Sequence, residues 1–171
     1  MKKHLISLAL FGLLILTSKR SFSQEITQIM KYSPLLNIGY ERVLTPKQSV
    51  YVGASLFPIA QADITAFGIK GEYRFYTSQN KPAPNGFWVA PTALLWFVRF
   101  NDFLGESSGV GVVMLGGMTG YQFIIRNRVS IEPCLGLGAG FSLGINETDS
   151  GIFGGGITPL GGLRLGLVLN K

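Results

Sequence analysis

The feature that most constrains this sequence is a period of two. Over residues 128–143 one alternate set is Val129, Ile131, Pro133, Leu135, Leu137, Ala139, Phe141 and Leu143. The intervening set is Ser130, Glu132, Cys134, Gly136, Gly138, Gly140 and Ser142. Successive side chains of a strand point to opposite faces, so this segment reads as a strand with one wholly apolar face and one small, polar face. Over 64–77, Phe67, Ile69, Gly71, Tyr73 and Phe75 oppose Gly68, Lys70, Glu72, Arg74 and Tyr76. Over 157–170, Leu163, Leu165 and Leu167 alternate with Gly162, Arg164 and Gly166. Segments 33–44, with Glu41 on the polar set, and 49–56 repeat the pattern. Segments 86–100 and 109–123 are apolar on both faces, which leaves their orientation open.

The N-terminus follows a different logic. Met1-Lys2-Lys3-His4 is basic, 5–18 is an apolar run, and Ser21-Phe22-Ser23 supplies small residues at alternate positions. This is the anatomy of a secretory signal peptide, so residues 1–23 are expected to be cleaved and 24–171 to form one domain. The run is shorter than the ~20 apolar residues of a spanning helix. Lys19 and Arg20 lie between the run and the cleavage point, which keeps a retained N-terminal anchor as the alternative. Of 15 basic residues, the leader holds Lys2, Lys3, Lys19 and Arg20. The formal charge of +6 for the whole chain therefore falls to +2 for the exported part, with 11 bases against nine acids. No Lys/Arg cluster remains to track a phosphate backbone, and no nucleic-acid partner is expected.

Turn chemistry separates the segments at 45–48, 78–85, 101–108, 126–127 and 144–156, and no stretch has helical periodicity. Many long strands in one chain mean a sandwich or a barrel. A soluble sandwich buries its apolar face, whereas a transmembrane barrel turns that face to lipid and its polar face inward. Three features favour the barrel. The strands exceed the ~5–6 residues usual in soluble proteins and match the ~9–11 of a tilted spanning strand. The row Gly136, Gly138, Gly140 suits a narrow lumen filled by a few long side chains, and leaves little to pack on a solvated face. The polar faces carry Glu41, Glu72 and Glu132 against Lys70, Arg74 and Arg164, the balance a closed lumen requires.

The expected fold is thus all-β: a closed antiparallel up-and-down transmembrane barrel of eight strands. Seven segments are evident; the even number needed by a single-chain barrel places the eighth within 24–34. The long 144–156 connection is expected outside the cell and the short 45–48 turn in the periplasm. Trp88 and Trp96 lie eight positions apart on one face, and are expected ~20 Å apart as interfacial aromatics, one in each girdle. A helical alternative rests on 107–125, 19 residues without a charge and with Gly116-xxx-Gly120 spacing, but helices would scatter the period-two charges around their circumference.

Asn37-Ile38-Gly39-Tyr40-Glu41-Arg42, Gly71-Glu72-Tyr73-Arg74-Phe75-Tyr76 and Asn85-Gly86-Phe87-Trp88-Val89-Ala90-Pro91 follow a pattern of YER, EYRxY and GFxVxP. With Gly120-Tyr121-Gln122 and Leu160-Gly161-Gly162-Leu163-Arg164 later on, the chain resembles a family of small bacterial outer-membrane β-barrel proteins of unknown function. The resemblance implies the architecture and no activity. The chain departs from many outer-membrane barrels by finishing Val168-Leu169-Asn170-Lys171 rather than in an aromatic, which bears on insertion more than on fold.

The chemistry available is narrow. His4 is the only histidine and lies in the leader, and Cys134 is the only cysteine, so metal sites and Ser-His-Asp arrangements are not expected. No cofactor is expected. The glycine pairs precede no helix, so they are not phosphate loops. The leading expectation is a non-enzymatic monomer. Its partners are outer-membrane lipid and the barrel assembly machinery, and its role is in envelope integrity or surface contact through its loops. A soluble barrel with an apolar calyx for a small lipophilic ligand is the alternative, and it points Leu163, Leu165 and Leu167 inward. A lipid-modifying enzyme using Glu41, Glu72 or Glu132 is the third.

Overall fold

The computed structural model describes residues 26–33, 37–59, 64–78, 81–101, 107–144 and 152–169. The proposed leader, residues 1–23, lies outside them. Eight strands follow in chain order: β1 (Gln28–Ser33), β2 (Asn37–Thr45), β3 (Gln48–Ile59), β4 (Ile64–Tyr76), β5 (Gly86–Asn101), β6 (Ser107–Ile125), β7 (Val129–Gly144) and β8 (Ile152–Val168). Each pairs antiparallel with the next, and β1 closes the ring on β8. The missing strand is Gln28–Ser33, inside the expected interval. The 107–125 segment is the single strand β6, not a helix. The 144–156 connection is shorter than expected, because β8 begins at Ile152.

The register fixes the barrel's dimensions. Following paired residues from Lys31 leads through Gly39, Gly53, Lys70, Leu94, Met114 and Gly140 to Gly156 on β8. Lys31 itself pairs with Gly166, ten residues further along the same strand. A shear of ten over eight strands, with ~3.3 Å per residue and ~4.8 Å between strands, gives a tilt of about 40° and a radius of about 8 Å. Such an interior is only as wide as two facing side chains.

Alternation then sorts every strand. Outward positions carry Met30, Tyr32, Ile38, Val52, Phe67, Ile69, Tyr73, Phe75, Leu95, Leu115, Leu135 and Leu137, all exposed. Inward positions carry Lys31, Glu41, Tyr51, Glu72, Arg74, Trp88, Gln122, Glu132 and Arg164, all buried. The orientations left open are resolved by burial: Trp88, Thr92 and Leu94 on β5 and Met114, Met118 and Gln122 on β6 face inward. Glycines make room for the large inward side chains. The Tyr51 ring lies over Gly39 and Gly53, the Trp96 ring over Gly68, and Met114 over Gly138.

The two ends of the barrel differ. One end holds the Pro46–Lys47 turn, the 77–85 connection, the 126–128 turn and the outer ends of β1 and β8. Arg126 and Asn127 there adopt φ of 51° and 53°, the left-handed conformation that tight hairpins need. The nine-residue 77–85 connection is longer than that joining β7 to β8, against the expectation that the longest connection would lie at the opposite end. Its Ala83–Pro84 part is buried under the barrel. The Ala83 N–H donates to the Pro46 carbonyl at 2.7 Å, and Ala83 is buried against Val43, Tyr76 and Trp88. This turn end is therefore plugged by the chain itself.

Close packing along the glycine row gives a test. A Cβ on Gly136 meets the Gly117 carbonyl and Met118. Gly136→Val is expected to cost about 1–3 kcal/mol by overpacking. Leu135→Val, on the outer face, is expected to cost less than about 1.5 kcal/mol. Urea midpoints in detergent, read by the gel shift between folded and heated protein, compare the two.

Candidate functional site

The charged residues on the polar faces converge on one layer inside the barrel. Glu72 and Arg74 are two apart on β4 and share its inward face, while Glu132 and Arg164 are direct cross-strand partners on β7 and β8. Glu41 pairs with Tyr51, and Tyr51 with Glu72, along one row of the sheared sheet. The narrow lumen lets side chains from opposite walls meet at the centre.

Arg74, fully buried, is the hub. Its Nε and Nη2 donate to Glu72 Oε2 at 2.9 and 2.6 Å. Its Nη1 and Nη2 grip Glu132 as a fork at 2.9 and 3.0 Å, and Nη1 reaches Glu41 at 3.1 Å. The guanidinium plane also faces the Trp88 ring at 4.3 Å and the Tyr51 ring at 4.8 Å. Arg164 forms a second fork on Glu72, at 3.0 and 2.7 Å, and reaches Glu132 at 2.9 Å. Lys70 closes on Glu72 at 2.8 Å. Glu41 also accepts from Ser49 Oγ at 2.5 Å and from the Tyr76 hydroxyl at 2.7 Å. The planar forks suit arginine, since two parallel charge-assisted bonds fix orientation as well as position.

The six residues singled out from the sequence thus form one connected network. A seventh, Lys31 on β1, was missed. Its ammonium meets Glu41 at 2.5 Å, Gln122 Oε1 at 2.7 Å, and Glu132. The signal was available: once β1 is required, its alternation puts Ile29 and Lys31 on the inward face. Gln122, Tyr51 and Tyr76 also belong to the layer, and none of them carries a charge that would have drawn attention.

The two tryptophans are placed differently from expectation. Trp88 is fully buried in the lumen beneath Arg74, and Trp96 shares that inward face, its ring against Gly68. Neither is an interfacial girdle residue. The reason is parity: Trp88 and Trp96 do share a face, but it is the inward one. The outward positions beside them hold Phe87 and Phe97, both exposed.

Each carboxylate here is engaged by at least two cations, an arrangement that ties β1, β2, β4, β7 and β8 together across the lumen. Breaking a buried ion pair by removing one partner strands the others. Glu132→Ala leaves Lys31, Arg74 and Arg164 facing one another and is expected to lower stability by about 3–5 kcal/mol. Lys81→Ala, at an exposed lysine beside Tyr121, is expected to stay within about 0.5 kcal/mol of the parent. Urea unfolding in micelles followed by tryptophan emission separates the two outcomes.

No curated protein and no solved structure matches this chain. One protein family does, described as Protein of unknown function (DUF3575), over residues 6–145. With well over half of its length matched, the chain belongs to the DUF3575 family.

Proposed function

We propose that this protein is a small, non-enzymatic barrel spanning the bacterial outer membrane, acting in envelope integrity or surface contact through the loops at the end opposite its termini. The observation that carries this reading is the inverted distribution of polarity: ions inside, hydrocarbon outside. Among the described outward-facing strand side chains only Arg42 and Arg99 are charged. Arg42 lies near the Pro46–Lys47 turn and Arg99 near the opposite end. A monomeric water-soluble protein rarely leaves an apolar surface of this extent uncovered.

The outer aromatics support the same reading. Phe87 and Phe97 are ten residues apart on β5, which at a 40° tilt separates them by about 25 Å along the axis, the height of a membrane barrel's apolar band. Tyr73, Phe75, Tyr121 and Phe123 lie near the lower level, and Phe67 and Phe141 near the upper. On this reading the plugged turn end, with the outer ends of β1 and β8, faces the periplasm, the assembly machinery inserts the strands, and the barrel stands as a monomer in lipid. The expected leader, residues 1–23, supplies export. The soluble calyx reading needs Leu163, Leu165 and Leu167 inside; they are 45%, 42% and 61% exposed.

Fractionation of the native host is expected to recover the protein with the outer membrane and to show heat-modifiable migration; recovery as a soluble periplasmic monomer would overturn the proposal. Leu137→Arg, within the apolar band, is expected to cost about 2–4 kcal/mol in lipid. For the enzymatic alternative, Glu72→Gln in a still-folded barrel is expected to leave the cell's lipid profile unchanged. A changed profile would replace the non-enzymatic reading.

A further inference from the structure

The barrel wall is uneven, and the low side opens onto the lumen. β1 pairs with β8 only from Ile29 to Tyr32, opposite Leu165 to Val168. Three residues join β1 to β2, and they link Ser33 and Asn37, which are themselves paired. The described β1–β2 pairing therefore ends at the Ser33–Asn37 level. On the far side of the gap, β2 reaches β3 no higher than Ser55. Above Leu165, then, β8 stands without a described neighbour on its β1 side. From Leu163 to Gly155 this free edge rises about 20 Å along the axis.

Exposure confirms the opening. Gly156, Thr158 and Gly162 are inward-facing, by their pairing with Gly140, Gly138 and Cys134, yet all three are exposed. A Cβ on Gly156 or Gly162 would meet nothing within 4 Å. The notch also lies at the level of the apolar band, since Phe141, one of the upper outer aromatics, pairs with Gly155 at the top of this stretch. An opening there faces hydrocarbon, not water.

The floor of the opening is cationic. Among the described inward side chains, Lys31, Lys70, Arg74 and Arg164 outnumber Glu41, Glu72 and Glu132 by one. Lys70 is the highest of the four and the least buried, its side chain 12% exposed. An ammonium has three protons to donate, and that of Lys70 meets Glu72 at 2.8 Å and the Met118 sulfur, a weak acceptor, at 2.8 Å. Above it the inward side chains turn apolar, with Leu94, Met114 and Leu160, and methionines repack readily around a guest.

Resting on the membrane-barrel reading above, we propose that this notch binds a single-chain anionic amphiphile of the fatty-acid type. The carboxylate meets the Lys70 ammonium. The hydrocarbon chain runs past Met114 and along Leu160 and Thr158, and leaves through the notch into the bilayer. The excess of one cation among the described inward side chains matches one carboxylate, and the apolar surround matches one chain.

The test uses the full chain purified in dodecyl maltoside, with the fluorescent fatty acid cis-parinaric acid as probe. Saturable binding at one probe per barrel is expected. Oleate is expected to displace it about tenfold better than oleyl alcohol, and Lys70→Met to weaken it about tenfold, the effect of losing ~1.4 kcal/mol of ionic contact. Thr158→Trp, at an exposed position that fills the notch, is expected to abolish binding, and Leu115→Trp on the outer wall to leave it unchanged. Equal competition by oleyl alcohol, or parental binding in Thr158→Trp, would overturn the proposal; if Lys70→Met does not fold, these two results decide. Heat-modifiable migration and membrane recovery are measured on every variant. A membrane-recovered barrel without specific binding defeats the amphiphile site alone, whereas loss of both defeats the barrel reading with it.

Discussion

The ion-pair layer around Arg74 is the interaction on which the rest of this structure depends. Seven charged side chains from five strands are packed into a lumen of about 8 Å backbone radius. In that space no charge can retreat to water, so each must meet its opposite. The mutual requirement fixes which strand faces which. A one-residue slip of β7 against β8, for example, would turn either Glu132 or Arg164 outward into the apolar belt. The layer therefore specifies register more than it adds net stability. Buried ion pairs recover in attraction roughly what they lose in desolvation, and their removal is costly chiefly because partners are left behind.

The glycines follow from the same constraint. A barrel with a shear of ten has room for a few long side chains only where the facing wall is bare. Tyr51 crosses Gly39 and Gly53, Trp96 crosses Gly68, and Met114 and Met118 cross the Gly136–Gly138 row. Large and small residues thus alternate around the inner wall so that each layer closes. The turn end is closed by different means, with Ala83 folded under the strands and held by the Pro46 carbonyl. Polar layer, glycine-backed side chains and folded-under connection make a filled interior from the middle of the barrel to its turn end.

Much of this was legible in the sequence because period two is a local signal. It gave the strands, their faces and six of the seven ionic residues, and the even-number rule located β1 where its own pattern was too short to do so. What alternation cannot supply is the absolute face of a strand that is apolar on both sides. β5 is such a strand, and on it a tryptophan suits a membrane interface as well as a lumen. In the barrel, Trp88 is inward because only that face can put an aromatic ring under Arg74, and Phe87 takes the outer position. The burial of Ala83 and Pro84 under the barrel was also illegible, since the Pro and Asn content of 77–85 is the same for a plug as for a free loop. Lys31 was hidden for a third reason: β1 is too short to read by its own pattern, and its partner Glu132 is 101 residues away in the chain, brought near only by barrel closure.

Closure also explains why the wall is uneven. β1 is the last strand needed to complete the ring, and six residues suffice to carry Lys31 to the ionic layer and to pair with the end of β8. A longer β1 would have covered the stretch of β8 that has no neighbour there among the described residues. Backbone groups of an unpaired edge are costly wherever water does not reach them, so a barrel built only as a stable plug gains by extending β1. The chain instead keeps β1 short, places glycine or threonine at the inward positions Gly156, Thr158 and Gly162 along the gap, and leaves Lys70 at its floor. The short strand and the small residues along the edge act in the same direction: a longer strand or larger side chains would each narrow the opening.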